Sequence, residues 1–179
     1  MRIIGGKAAG LRLSPPQNLP VRPTTDLAKE ALFNILNNKL DFDDLACLDL
    51  FAGTGNISFE LASRGVKSVD SIDLHGKCVL YITETAKKLK LDQIKARKAD
   101  VFKFIKSAKS TYDLIFADPP YDIGQLPMIP SYVFENNLLN SNGLLIVEHP
   151  TSRKMADHPN FVEQRQYGNS SFSFYSNNI

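Results

Sequence analysis

"LDLFAGTGN", Leu48 to Asn56, sets an apolar run directly before a Gly-x-Gly turn. An apolar strand that enters such a turn and leaves it as a helix is the opening unit of a parallel α/β sheet. The glycines let the backbone turn sharply and come close to a ligand at the helix N-terminus. The helix follows as "NISFELASRG" and is ended by Gly65. Two ligands fit such a turn. A dinucleotide fingerprint, G-x-G-x-x-G, needs a third glycine at position 58, where this chain has Ser58. Asp49, just before the turn, sits poorly beside a pyrophosphate but suits a ligand with an ammonium group. S-adenosylmethionine carries both an α-ammonium and a sulfonium charge. Asp49, Gly53 and Gly55 therefore point to that cofactor.

Beyond the turn, strand patterns alternate with helical ones. "SVDSID" is followed by "KCVLYITETAKKL", with Val79, Ile82, Ala86 and Leu89 inward, and "IKARKA" by "VFKFIKSA". "YDLIFA" is a fourth strand, "YVFENNLLNS" a helix and "GLLIVEH" a fifth strand. The tail reads as two strands, "FVEQRQYG" and "SFSFYS", joined around Gly168. This order predicts an α/β fold with a doubly wound, mostly parallel, seven-stranded sheet. Ahead of it, "RIIGG" and "LRLSP" read as a short hairpin, and Pro20 and Pro23 bracket an extended approach to a helix. Thr24 or Thr25 caps that helix, Asp26 complements its dipole, and Leu27, Ala31, Leu32, Ile35 and Leu36 share one face. A single domain, 1–179, is expected, with the hairpin and helix (1–40) extending a core (45–179).

The second strand ends at Asp73, about twenty residues past the turn, where a carboxylate accepts from ribose hydroxyls. Asp70 is the less favoured partner. Asp100, after the third strand, either accepts from an adenine amino group, with the Val101 N–H meeting the ring, or simply caps the helix that follows.

At 43% apolar and 22% charged, the composition is that of a globular protein. There is no run of eighteen apolar residues and no signal-peptide pattern at "MRIIGGKAAG", so a cytoplasmic protein without a membrane partner is expected. Cys47 and Cys78 read as buried thiols. His75, His149 and His158 lack ligand spacing, so no metal is expected. The net charge is +2. Arg2, Lys7, Arg12, Arg22 and Lys29 against Asp26 and Glu30 give residues 1–30 a net +3, which suits either a solvated surface or an arm that meets phosphates.

"DPPY", Asp118 to Tyr121, leaves the fourth strand as a stiff turn. In a doubly wound sheet this loop lies beside the glycine turn. A nucleobase amine is a poor nucleophile because its lone pair is delocalised into the ring. The Asp118 carboxylate and the Pro119 carbonyl can each take one of its hydrogens and aim the lone pair at a methyl donor. Tyr121 then stacks on a base drawn out of its helix or loop.

"LDLFAGTGNISFELASRG" with "DPPY" resembles the amino-directed nucleic-acid methyltransferases of the Rossmann-like class. "RIIGG", "RPTTD", "EALFNIL" and "YGNSSFSFY" narrow the resemblance, over essentially the full length, to the RsmD family. The resemblance implies S-adenosylmethionine-dependent methylation of a guanine N2 in 16S ribosomal RNA, within an assembled or assembling small subunit. By position it implies a cofactor site at Asp49, Phe51, Ala52, Gly53, Thr54, Gly55, Asn56, Asp73 and Leu74, with Asp100 and Val101 beyond. It places the catalytic motif on Asp118, Pro119, Pro120 and Tyr121, and an RNA-facing arm on Arg2, Lys7, Arg12, Arg22, Thr24 and Thr25. The alternatives are an adenine-N6 methyltransferase, for which 179 residues leave no target-reading region, and a cofactor-binding module without catalysis. An NAD-dependent oxidoreductase is disfavoured by Asp49 and Ser58.

Overall fold

The structure, a computed structural model, describes residues 1–22 and 24–177. One sheet contains β1 (Ala46–Leu50), β2 (Ser68–Asp73), β3 (Ile94–Lys98), β4 (Tyr112–Ala117), β5 (Leu139–Pro150), β6 (Phe161–Tyr167) and β7 (Ser170–Ser176). Their order is β3-β2-β1-β4-β5-β7-β6. β1 to β5 are parallel, and β7 lies antiparallel between β5 and β6. The helices are α1 (Asp26–Lys39), α2 (Asn56–Ser63), α3 (Gly76–Lys88), α4 (Val101–Ser107) and α5 (Ile129–Glu135). This is the α/β, doubly wound sheet that the alternation predicts.

The central strands are apolar along their length because both faces are covered. On one face Cys47, Phe116, Ile146, Phe172 and Phe174 pack with Leu32, Phe33 and Leu36 of α1, Phe59 and Leu61 of α2, and Ile82 of α3. On the other, Leu48, Leu50, Ile115 and Val147 pack with Ile105 of α4 and Ile129 and Val133 of α5. Both cysteines are buried free thiols, and burial pushes Cys78 up to about 11. The strand order reverses between β1 and β4, which opens a crevice at their carboxyl ends. Among the described residues no helix is long and apolar enough to cross a membrane.

The N-terminal hairpin forms as read: Ile3 N–H donates to the Leu11 carbonyl (2.9 Å) and Leu13 N–H to the Met1 carbonyl (2.8 Å), around one antiparallel bridge, Arg2 to Arg12. Its tip is docked on α2, where Lys7 N–H donates to the Ser63 carbonyl (2.8 Å). Gly6 has φ +77°, and a Cβ there would stand 1.8 Å from that carbonyl oxygen. Two other local expectations are corrected. α1 buries Ala28, Lys29, Leu32, Phe33 and Leu36, while Leu27 is 77% exposed. The apolar pattern misplaced this face because a lysine occupies an inward position. Finally, α5 starts at Ile129 and stops at Glu135 rather than running through 132–141. Asn137, at φ +51°, follows its end, and Leu138 and Leu139, the latter the first residue of β5, are buried in the core. Pro23, read with Pro20 as bracketing the approach to α1, lies outside the described residues.

Candidate active site

A cavity of about 550 Å³ opens at the carboxyl ends of the parallel strands, within the usual range for small-molecule sites. Asp49, Asp73, Asp100 and Asp118 all border it.

At one end, the loop from β1 to α2 puts Phe51, Gly53 and Gly55 at φ +58°, +56° and +78°. Only glycine tolerates this freely; the Phe51 ring packs edge-on against Phe102. The loop is tied to the end of β2. Gly53 N–H donates to Asp73 Oδ2 (2.8 Å), and His75 N–H to Oδ1 (2.9 Å). Asp70, the other acid of β2, accepts instead from the Tyr112 hydroxyl (2.6 Å), pairs with Arg97 (3.2 Å) and does not line the cavity. Asp49 is buried and accepts from the Ser58 N–H (3.1 Å) and hydroxyl (2.6 Å). Burial raises its carboxyl to about 7, against the pull of the Ser58 bonds and with a further push from Asp73. Ser58, where a dinucleotide site would have its third glycine, is therefore the residue that orients Asp49.

Ala52 and the half-exposed Leu74 line the wall. Thr54 contacts Met1 Sδ (3.3 Å). Asn56 is engaged by the protein itself, donating to the Thr24 carbonyl (3.1 Å) and accepting from Lys29 Nζ (2.7 Å). Asp100 caps α4 through the Lys103 N–H (3.0 Å) and also borders the cavity, with Val101 beside it. Both readings of Asp100 thus remain compatible.

The other end is assembled from distant segments. Asp118 follows β4, and Glu148 stands next to it near the end of β5, one step past the paired Ala117 and Val147. The Thr24 hydroxyl donates to Glu148 Oε2 (2.9 Å) and lies 3.4 Å from Asp118 Oδ2. Arg22 approaches Asp118 at 3.6 Å and Glu148 at 3.8 Å, with its guanidinium 3.8 Å above the Tyr121 ring. The Tyr121 hydroxyl bonds Ser170 (2.5 Å), and Arg153 reaches the Tyr121 and Ile123 carbonyls (3.4 and 3.3 Å). Asp118 Oδ1 is buried and, among the described residues, has no hydrogen-bond partner. Burial and the Glu148 charge hold Asp118 well above the ordinary carboxylate range, with Arg22 opposing. Burial also raises Glu148, opposed by Thr24 and Arg22.

Glu148 was missed from the sequence, where it reads as part of an apolar strand. Its signal was positional: an acid stands at or near the carboxyl end of each of the five parallel strands, at Asp49, Asp73, Asp100, Asp118 and Glu148. The arm residues separate. Thr25 caps α1 through Ala28 N–H (3.2 Å), whereas Thr24 is buried between Asp118 and Glu148, in what is here a cup of acceptors. Lys7 and Arg12 are exposed, and Arg2 is half-buried. Lys29 is fully buried, paired with Glu60 (3.2 Å). Glu60 also holds the Ile4 and Gly5 N–H groups and Arg64 (2.9, 2.8 and 2.9 Å). Lys29 thus adds nothing to the arm's surface charge. A larger basic excess lies over residues 75–109, around α3, β3 and α4, with ten Lys and Arg against three acids.

The family model described as conserved hypothetical protein 95 matches residues 1–176. The chain belongs to this family. The resemblance to the RsmD family that the motifs carry is borne out, and it includes the N-terminal arm. The Ribosomal RNA small subunit methyltransferase D of Haemophilus influenzae is 30% identical over 183 residues, 99% of this chain and 94% of that protein. The structure of a hypothetical protein of Thermus thermophilus superposes with a TM-score of 0.85 at 26% identity, covering 98% and 99% of the two chains. A more distant neighbour crystallised with SAH has a TM-score of 0.68 at 19% identity, over 84% of this chain and 50% of that one, and shares the fold. The sheet is that of Rossmann-like methyltransferases.

Proposed function

We propose that this chain transfers the methyl group of S-adenosylmethionine to the exocyclic N2 amine of a guanine in 16S ribosomal RNA. Family membership and the Haemophilus relative support ribosomal RNA methylation. The observation that carries amine methylation is the buried Oδ1 of Asp118, which accepts no hydrogen bond among the described residues and faces the Arg22 guanidinium at 3.6 Å, in the same cavity as Asp49 and Asp73. A buried acceptor that lacks a hydrogen bond can take one from a ligand.

The residues fit the cofactor. Asp49 suits its ammonium, Asp73 its ribose hydroxyls, Phe51 and Leu74 its apolar faces, and Asp100 with Val101 its adenine. When bound, it supplies an electrophilic methyl: the N2 lone pair forms the N–C bond, the C–S pair stays on sulfur, and the amine loses a proton. Asp118, with the Pro119 carbonyl, holds the amine hydrogens so that the lone pair faces the cofactor end, and Asp118 can accept the proton. Tyr121 offers a stacking surface. Lys7 and Arg12, together with the basic residues of the 75–109 segment, suit RNA phosphates, and an assembling or assembled small subunit supplies a preformed shape.

The test is methyl incorporation into small subunits, naked 16S RNA and DNA, with mapping of the product base. N2-methylguanosine in subunits is the expected result. N6-methyladenosine would point to the adenine-N6 reading, and no transfer to any of the three to a binding module.

A further inference from the structure

The acceptor cup contains an internal group that looks like part of its expected substrate. The Arg22 guanidinium is a planar N–C–N unit stacked on the Tyr121 ring, with its Nη2 facing both Asp118 Oδ1 and Glu148 Oε1. Guanine carries the same unit in its pyrimidine ring: N1–H and the C2 amine are adjacent donors joined through one carbon. Adenine presents its N6 amine next to N1, which is an acceptor. A second carboxylate beside Asp118 therefore favours one base over the other.

We propose that Glu148 reads the Watson–Crick edge of the acceptor base, taking the N1–H of guanine while Asp118 takes an N2–H, and that Arg22 occupies their place until the base arrives. This rests on the reading that the chain methylates guanine N2. The geometry supports each part. Glu148 is 1% exposed, and its Oε2 is held by Thr24, so Oε1 keeps a fixed direction toward the cup. The two carboxylates stand side by side on adjacent strands, with the Thr24 hydroxyl and the Arg22 guanidinium between them and the Ser170 and Tyr121 hydroxyls also acting on Glu148. Arg22 approaches them at 3.6 and 3.8 Å, beyond hydrogen-bond distance, and its side chain is 52% exposed. It can swing out without disturbing the core. Its departure leaves two acceptors and a bare aromatic face, which a guanine fills with two donors and its ring.

The decisive substrate analogue is 2-aminopurine, which keeps the 2-amino group but has an acceptor at N1 and no N1–H. Once the methylated position is mapped, subunits are reconstituted with guanine or 2-aminopurine there. Wild type should prefer guanine by at least about 100-fold, because a site built to bond an N–H rejects a base lacking it. Glu148→Gln presents an amide that can donate to N1, so it should slow guanine, speed 2-aminopurine and bring the ratio below about tenfold. A damaged fold cannot raise the rate on 2-aminopurine, and unchanged cofactor affinity checks the rest of the cavity. Guanine methylation with a ratio unmoved by Glu148→Gln would overturn the proposal. Failure of wild type to methylate guanine at all would instead remove the functional reading beneath it. For Arg22→Ala, a placeholder role lowers the KM for subunits several-fold. A raised KM would show that Arg22 is an RNA contact and overturn its part.

Discussion

The end of the cavity proposed for the cofactor is made by the turns after β1, β2 and β3, whereas the end proposed for the acceptor base draws on the N-terminal arm, the turn after β4, β5 and Ser170 of β7. At the cofactor end, Asp73 is held by two backbone N–H groups and Asp49 by Ser58, all within twenty residues. At the acceptor end, Asp118 meets Thr24 and Arg22 from 94 and 96 residues away, and Glu148 from the next strand. The first end is preorganised by its own backbone. The second leaves a buried carboxylate oxygen unsatisfied and two carboxylates side by side. One end is complete before its ligand binds, and the other is completed by it.

The largest effect should follow from breaking the unsatisfied end. Asp118→Ala is expected to lower kcat by about 10²–10³, the usual loss for one positioned electrostatic partner, while cofactor affinity stays within a few-fold. Single-turnover kinetics and calorimetry check both halves of that statement. Near-normal turnover would remove Asp118 from the chemistry.

Breaking the satisfied end should show the reverse split. Asp73→Ala removes a charged acceptor and should weaken SAH binding by about 1–3 kcal/mol, read by calorimetry. Because Asp73 also anchors Gly53 and His75, the melting temperature should fall too. An unchanged dissociation constant would place the ribose contact elsewhere.

A third test uses the raised carboxyl of Asp49. Below about 7 it is protonated and neutral, and above that it is charged. Affinity for S-adenosylmethionine should therefore improve about tenfold from pH 6 to pH 8, following the ionised fraction. Asp49→Asn should bind weakly and without this slope. A flat profile in the wild type would detach Asp49 from the ammonium.

The smallest effect concerns Tyr121. From the ring alone, Tyr121→Phe would be silent, but the hydroxyl bonds Ser170, so a loss of about 1 kcal/mol in kcat/KM is expected. The same loss in Ser170→Ala, and no further loss in the double variant, would assign it to that bond. Additive losses would show two independent roles.

Local pattern was enough to read the sheet, the glycine turn and the acids at its rim. Apolar strands alternating with helices, punctuated by glycine, are short-range signals, and an acid at the end of a strand stands beside the turn that follows it in sequence, at the rim of the cavity. Asp49, Asp73 and Asp118 were legible for that reason. Packing settled the rest: Lys29 is buried against Glu60, Thr25 caps a helix while Thr24 enters the cup, and Arg22 lies on Tyr121 rather than on an open arm. It also brought Glu148 beside Asp118, through the pairing of β4 with β5. A charged residue read in sequence carries no sign of whether it will face water or a partner about ninety residues away. That choice belongs to the long-range contacts that bring the partners together, because a buried charge is tolerable only where the fold supplies its opposite or its hydrogen bonds.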